Sequence, residues 1–385
     1  MEEGIIMEIK NLRPTWVEID LDAIEENIRS VKSRINEGVN IMAVVKANAY
    51  GHGIIEIAKI ALKVGCKCLG VATVTEGIQL RREGIKAPIL ILGTLYFNQV
   101  DDVLKYDLTP TIYSYDLAEY LSGFGQKVKV HIKLDTGMGR IGLLPDQALK
   151  EIRRIAQLPN LEIEGAFTHF SMADTNEDYT MEQLEKFNRV ISSLKSEGIE
   201  IPILHTANSG AIINFPQTHY NLVRMGIIMY GLYPDKPLRR KIKLKSALKW
   251  KAKIVYLKEV EEDTKISYGG RYTTKKKTRI GTLPVGYHDG YSRALSGITE
   301  VLFKGQRVPV IGNICMDQMM IDLSGTEAEV GDEVTLIGED VGDNIEASEL
   351  AEKLNTINYE IISRISPRVP RVFYRGKEII DIREE

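Results

Sequence analysis

The stretch AVVKANAYGHG, residues 43–53, decides the fold. Together with Ile41 and Met42 it opens as a short run apolar at every position, the pattern of a parallel strand buried on both faces. Lys46 then arrives at the C-terminal end of that strand, and small residues, Tyr50 and two glycines follow. In an α/β barrel, this end of a strand carries the catalytic side chains. A lysine half inside a barrel mouth is pushed toward its neutral, nucleophilic form by desolvation. The plain alternative is a solvated lysine at a strand end, but that needs none of the Ala-Asn-Ala-Tyr-Gly-His-Gly after it. Small residues and glycines let backbone approach a ligand closely, and Tyr50 offers a hydroxyl.

Outward from this stretch, apolar strand-like runs alternate with amphipathic helical patterns. The strand candidates are residues 41–45, 69–73, 89–92, 109–113, 128–134, 162–169, 202–207 and 222–230. Residues 21–35 read as a helix with Ile24, Ile28 and Val31 on one face, and residues 182–196 as another carrying Leu184, Phe187 and Leu194. Eight such strands alternating with helices predict an N-terminal (β/α)8 TIM barrel over residues 13–239. A doubly wound open sheet is the alternative. The barrel is favoured because candidate ligand residues stand at many strand ends rather than at one crevice. From about residue 240 the texture changes to short β-branched runs punctuated by turns such as Tyr268-Gly269-Gly270 and Gly331-Asp332. This predicts a mainly-β C-terminal domain over residues 240–385, with residues 1–12 packing against it and a helix over 348–362.

Composition narrows the function class. The 385 residues carry 50 basic and 53 acidic groups, a formal charge of −3. That balance argues against nucleic acid, and Lys275-Lys276-Lys277 reads as a solvated loop. Cys66, Cys68 and Cys315 make neither a disulfide framework nor a paired metal motif, which points to a reducing compartment and no metal. The opening MEEGIIMEIK is not a signal-peptide pattern, and no apolar run is of membrane-spanning length. The expectation is a soluble, cytoplasmic protein with no membrane contact.

The sequence VVKANAYGHG closely resembles the pyridoxal-phosphate attachment motif of the alanine racemases. The resemblance implies that Lys46 holds pyridoxal 5'-phosphate covalently and that Tyr50 binds its phosphate. Other motifs extend the resemblance across both domains, from Lys46 to Arg371. Arg224, in NLVRMGIIMYG, is a guanidinium within an apolar strand, costly unless satisfied. By resemblance it faces the ring nitrogen. An arginine cannot release its proton near neutral pH, so it donates to an unprotonated nitrogen and leaves the ring a weaker electron sink. HTANSG and the residues after Arg224 suit an anion at a barrel mouth. The resemblance makes Ser209, Gly226 and Ile227 phosphate contacts, with Tyr359 of NYEIISRI as another. It places His169 of AFTHFS near the ring and linked to Arg224.

In KLDTGMGRIG, glycines bracket Met138 and present Arg140, a side chain suited to gripping a carboxylate through two parallel hydrogen bonds. The resemblance gives Arg140 to the substrate carboxylate and makes Lys133 a residue that can be carbamylated. In the β-rich part, KISYGGRY matches a further motif of the family, and the resemblance implies that Tyr268 is the second acid–base residue, reaching the active site of the other subunit of a homodimer. GYHDGYSR and NICMDQ imply Tyr287 at the substrate entrance and Met316 beside the substrate. The family commonly carries alanine where His288 stands, a departure that bears on the entrance rather than on catalysis.

A racemase needs an acid–base group on each face of a planar carbanion, and Lys46 and Tyr268 are the pair expected. The implied activity interconverts L- and D-alanine, supplying D-alanine for bacterial peptidoglycan. Racemisation of another small amino acid such as serine remains an alternative, because the two pockets differ by a hydroxyl. A non-catalytic pyridoxal-phosphate-binding protein is a third reading, opposed by the second domain and its Tyr268. Amino-acid decarboxylases of the same barrel class are a fourth, opposed by the lack of their glycine-rich phosphate loops and cysteine-bearing motif.

Overall fold

The computed structural model describes residues 12–384. Residues 23–49 and 54–245 form one compact unit, and the described parts of 1–22, 50–53 and 246–385 form a second.

The first unit is a ring of eight parallel strands: β1 (Asn40–Val44), β2 (Cys68–Val71), β3 (Ile89–Ile91), β4 (Thr109–Ile112), β5 (Val128–Lys133), β6 (Leu161–Phe167), β7 (Ile203–His205) and β8 (Leu222–Met225). From β1 to β7 each pairs with the next in sequence, and β8 returns to β1 with Asn40 opposite Leu222 and Ala43 opposite Met225. The β7–β8 seam is closed by single bonds, with Arg224 N–H donating to Ala207 O at 3.0 Å and Leu204 N–H to Asn221 Oδ1 at 2.9 Å. This is the expected barrel, with crossover helices such as Ile54–Val64 and Glu177–Ser196. The latter begins at Asn176, whose side chain accepts from Tyr179 N–H at 2.9 Å, and carries Glu177 and Asp178 in its first turn. The last strand is shorter than expected. It stops at Met225, and Ile227–Tyr230 forms one 3-10 turn.

The second unit is mainly β. Its large sheet runs through Tyr256–Val260, Thr278–Leu283, Met319–Asp322, Gln306–Ile311, Glu300–Phe303, Glu333–Asp340, Leu248–Lys253, Thr15–Asp20, Arg371–Arg375 and Glu378–Arg383. Along Leu248–Lys253, Leu248, Trp250 and Ala252 are buried while the lysines between them are not, the period-two pattern of a one-sided strand. Two expectations change here. Thr15–Asp20 does not open the barrel. It pairs antiparallel with Leu248–Lys253 and parallel with Arg371–Arg375. Its local pattern, a strand followed by a helix, is what a barrel entry also shows, so only the distant partners distinguish the two. The helix expected over 348–362 is two, Ala347–Lys353 and Asn358–Ser363, because Asn355 takes a left-handed backbone with φ 53° and stops the first. The expected packing of residues 1–11 lies outside the described residues.

Asp289 anchors this unit. Its carboxylate, fully buried, is paired with Arg13 and with Arg368 (2.7 Å), and accepts from Gly286 N–H at 2.9 Å. Burial opposes its charge, but these donors outweigh it and hold the carboxyl below the usual carboxylate range. A depressed folded-state value gives stability present above the unfolded value of about 3.9 and lost as pH falls through the folded one. Asp289→Ala, which removes the carboxylate shared by Arg13 and Arg368 and leaves them only Pro284 O and Asp317, should cost about 2 kcal/mol in urea unfolding at pH 7, and the deficit should shrink below about pH 4. An unchanged midpoint would show that the two arginines are satisfied elsewhere.

Candidate active site

The chain leaves β1 by an unusual route. Ala47, Asn48, Ala49 and Tyr50 all have φ between 50° and 54°, so Lys46 opens a left-handed turn containing no glycine. Each such residue costs roughly 1–2 kcal/mol, and specific bonds offset that cost. Glu76 Oε1 accepts from Ala47 N–H at 2.6 Å, and its other oxygen takes the Ala72 amide at 2.7 Å. Asn48 Oδ1 accepts from Ile54 N–H at 2.7 Å. Strain held in this way typically marks a working site. Lys46 is half-buried, and burial first, then the charges of Arg140 and Arg224, lower its pKa against the pull of Glu76. The glycines after Tyr50 make room for neighbouring parts of their own unit. A Cβ on Gly51 would lie 2.2 Å from the carbonyl oxygen of Ile362, and one on Gly53 would lie 2.5 Å from the Phe373 ring.

Arg224, 4 % exposed, is the electrostatic centre of the barrel. Its Nη1 donates to His205 O (2.7 Å) and lies 3.1 Å from His205 Nδ1. Its Nη2 donates to Thr168 O (2.8 Å) and Thr206 O (3.0 Å) and lies 3.3 Å from His169 Nδ1. Nε–H is the donor left without a bond to the described residues, in a side chain that is otherwise fully satisfied. Burial lowers its pKa to about 9, still leaving a cation at neutral pH. His169 is held well below its ordinary value by burial and then by Arg224, so it is neutral and accepts from the guanidinium.

Beside it lies a corner of donors. Asn208, and not Ser209, caps the short helix Ser209–Asn214 by accepting from Ala211 N–H at 3.1 Å. Ser209 is thereby freed, and its Oγ accepts from Gly226 N–H at 3.2 Å. The amides of Ser209 and Ile227 open their short turns and have no partner inside them.

Two more cations converge on this end of the barrel. Asp135 gathers the amides of Gly137, Met138 and Gly139 on one oxygen (2.9–3.1 Å) and that of Arg140 on the other (2.9 Å), building the loop that carries Arg140. The Arg140 guanidinium has no acidic partner within 4 Å among the described residues. Lys133 is 3 % exposed, its Nζ sits 4.4 Å from the Phe167 ring centroid, and burial, then Arg224 and Arg140, hold its pKa well below normal. Lys46, Lys133, His169, Ser209, Arg224, Gly226, Ile227 and Arg140 therefore belong to one unit, at the C-terminal ends of its strands.

The remaining expected residues lie in the β-rich unit. Tyr50 is buried, with its ring centroid 6.1 Å from that of Tyr359. Tyr268 is 73 % exposed on a short turn whose carbonyl accepts from Asn313 Nδ2 at 2.6 Å. Asn313 O in turn accepts from Ser267 Oγ at 2.6 Å. Tyr287 N–H donates to Cys315 O and His288 N–H to Met316 O, both at 3.0 Å. Tyr268, Tyr287, His288 and Met316, far apart in sequence, thus share one stapled rim. Asp135, Glu76 and Asn313 were not singled out in the sequence; each acts through main-chain amides or carbonyls, which no side-chain motif reveals. His205 was quoted within its motif, but nothing local shows that it backs Arg224. Among the described residues no cluster of His, Cys, Asp and Glu is placed to hold a metal ion, and no helix is long and apolar enough to cross a membrane.

The family model of the alanine racemase N-terminal domain matches residues 19–234 and that of the alanine racemase C-terminal domain residues 247–373. An alanine racemase of Clostridium perfringens is 46 % identical over 380 residues, covering 97 % of this chain and 98 % of its own. The crystal structure of alanine racemase from Bacillus anthracis with bound L-Ala-P superposes with a TM-score of 0.93 at 42 % identity, covering 97 % of this chain and 98 % of that one. A histidine racemase from Leuconostoc mesenteroides shares the architecture at a TM-score of 0.86 and 29 % identity, covering 94 % of this chain and 98 % of its own. At this identity and coverage, with a strand-end lysine, a buried strand arginine and two matching domains, the chain belongs to the alanine racemase family of amino-acid isomerases.

Proposed function

We propose that the protein interconverts L- and D-alanine on pyridoxal 5'-phosphate by two bases, Lys46 and Tyr268. The observation that carries this is the free Nε–H of Arg224, a lone donor in a fully committed buried guanidinium, beside a lysine that burial drives toward neutrality. Such a donor set fits a ring nitrogen that keeps its lone pair, and the corner of Ser209, Gly226 and Ile227 fits the phosphate, with Tyr50 and Tyr359 completing it. When bound, the cofactor supplies an electron-accepting ring that stabilises negative charge at the substrate α-carbon.

The chain's own residues do the rest. Arg224 donates without giving up its proton, which limits how much charge the ring draws and favours return of the proton to carbon. Arg140, a cation without an acidic partner among the described residues, takes the substrate carboxylate. Lys133, whose buried amine is pushed toward its neutral, nucleophilic form, adds carbon dioxide with loss of a proton to form a carbamate, an anion that orients Arg140. Lys46 Nζ moves the α-proton on one face of the substrate, and Tyr268 Oη of the partner subunit moves it on the other. Met316 borders the substrate, and Tyr287 and His288 border its entrance. An exposed tyrosine on a stapled rim supports the shared site, since a large exposed apolar ring set in rigid backbone suits cover by another subunit. D-alanine made this way supplies bacterial peptidoglycan. Three free thiols suit the cytoplasm.

Incubation with L-alanine should abolish optical rotation, and L-serine should be turned over more slowly, on the order of 10-fold or more for one added hydroxyl. Faster loss of rotation with serine, or with histidine, would reassign the substrate. The shared site has its own signature. Lys46→Ala and Tyr268→Phe dimers should each be nearly inactive. Mixed equally and exchanged, they should recover about a quarter of wild-type activity, because about half the dimers then hold one intact site of two. No recovery, with exchange shown by mass spectrometry, would mean that both bases come from one chain.

A further inference from the structure

Inside the barrel, a line of polar side chains runs away from the chemistry toward the opposite mouth. From Arg224 Nη1 it passes to His205 Nδ1 at 3.1 Å, from His205 Nε2 to His131 Nδ1 at 2.8 Å, and from His131 Nε2 to Glu164 at 3.5 Å. Both imidazoles are buried. Glu164 Oε1 also accepts from Lys129 at 2.6 Å. Glu164 and His131 line a cavity of about 180 Å³ with Asn40, Thr109 and Asn221, residues at the N-terminal ends of strands.

The line has a forced direction. Arginine has only donors, so His205 Nδ1 must present its lone pair, and the proton of a neutral His205 sits on Nε2. His131 Nδ1 must then accept, which leaves its own proton on Nε2, facing a carboxylate that can only accept. Every group is satisfied in this arrangement and in no reversed one. The partner at one imidazole nitrogen thus sets the tautomer seen at the other. The hydrogen bond from His131 is the largest influence lowering the Glu164 pKa, to about 2; burial opposes it and Lys129 assists it.

The fold makes deliberate room for this line. A Cβ on Gly165 would stand 2.5 Å from the His131 ring. The β5–β6 register shifts between Val130 and His131, which aims the ring inward. Phe167 stacks on His205 with centroids 4.6 Å apart and planes 10° apart.

We propose that Glu164 and His131 are positioning residues for Arg224: accepting in turn from His131 and from His205, they hold the His205 ring with its Nδ1 lone pair on the guanidinium, keeping Nε–H as the donor for the cofactor ring. This rests on the reading of Arg224 given under Proposed function. The removal of an outer partner of this kind typically lowers activity about 10- to 100-fold.

The test is ¹⁵N NMR of histidine-labelled holoenzyme, whose six histidines can be assigned by single His→Asn variants. His131 and His205 should both be neutral with the proton on Nε2. In Glu164→Leu, which leaves the His131 Nε2–H without its acceptor, the His131 Nε2 resonance should shift and its proton should exchange faster with solvent, kcat for L-alanine should fall about 10-fold and KM should stay within about twofold. Glu164→Gln, which keeps an acceptor oxygen, should recover most of kcat. A proton on Nδ1 of His205 in the wild type overturns the proposal whether or not the leucine variant folds. So do an unchanged His131 Nε2 signal in Glu164→Leu, or a changed one with kcat untouched. A wild-type protein that racemises nothing would instead sink the functional reading, and the tautomers would still report on the line itself.

Discussion

One buried cation organises this barrel. A guanidinium removed from water is tolerated only when each donor has a partner, and Arg224 finds its partners where the sheet ladder ends. The carbonyls of Thr168, His205 and Thr206 lie at or just past the last ladder pair of β6 and β7, where they accept from the guanidinium. The same residue's amide closes the β7–β8 seam. Strand ends, barrel closure and site electrostatics are therefore one constraint. Lysine could not replace it, because three donors on a single flexible ammonium cannot reach carbonyls from separate strands and still leave one donor aside.

The consequence is a field without counter-charge. Arg224 and Arg140 both lower the pKa values of Lys46 and Lys133, and among the causes of those shifts only Glu76 and Asp135 oppose them. Both acids are already engaged with backbone amides. Clustering cations in a partly buried cleft is unfavourable for the empty protein. The same cluster favours whatever anions arrive, so ligand binding and stability are linked. Two anionic groups, a phosphate and a carboxylate, are what the proposed reaction brings.

What was legible in the sequence were residues whose chemistry conflicts with their local context. A lysine at the end of an apolar run and an arginine inside one stand out, because each needs a reason to be there. The left-handed turn was hidden, since Ala-Asn-Ala-Tyr carries no glycine and the bonds that hold it come from Glu76, some thirty positions away. Ser209 reads as a helix cap by type, and only the structure shows Asn208 taking that task and releasing it. The strand at Thr15–Asp20 has a pattern that fits either unit, and register with Leu248–Lys253 decided it. His131 and Glu164 were invisible for a geometric reason. They sit on neighbouring strands at a shifted register, and no spacing rule relates them to His205 on a third.

The β-rich unit poses the converse problem. Its Tyr268 rim is exposed, yet its backbone is fixed as tightly as a core loop. A Cβ on Gly286 would meet the Met316 carbonyl at 2.2 Å, and one on Gly312 would meet the Ser267 side chain at 2.8 Å, so the loops bearing Tyr287, Met316 and Tyr268 interlock. Rigid loops that display aromatic and thioether side chains to solvent bring no stability to an isolated unit. They reduce the ordering cost of a later contact, which is where preorganisation has its effect. A base that must approach one carbon to within bonding range of a proton needs that rigidity. A base carried by a different element from its counterpart can also be fixed independently of it. In the proposed reaction, the interlocked glycines on one unit and the left-handed turn on the other answer the same demand: each of the two proposed bases is carried on backbone held by specific contacts.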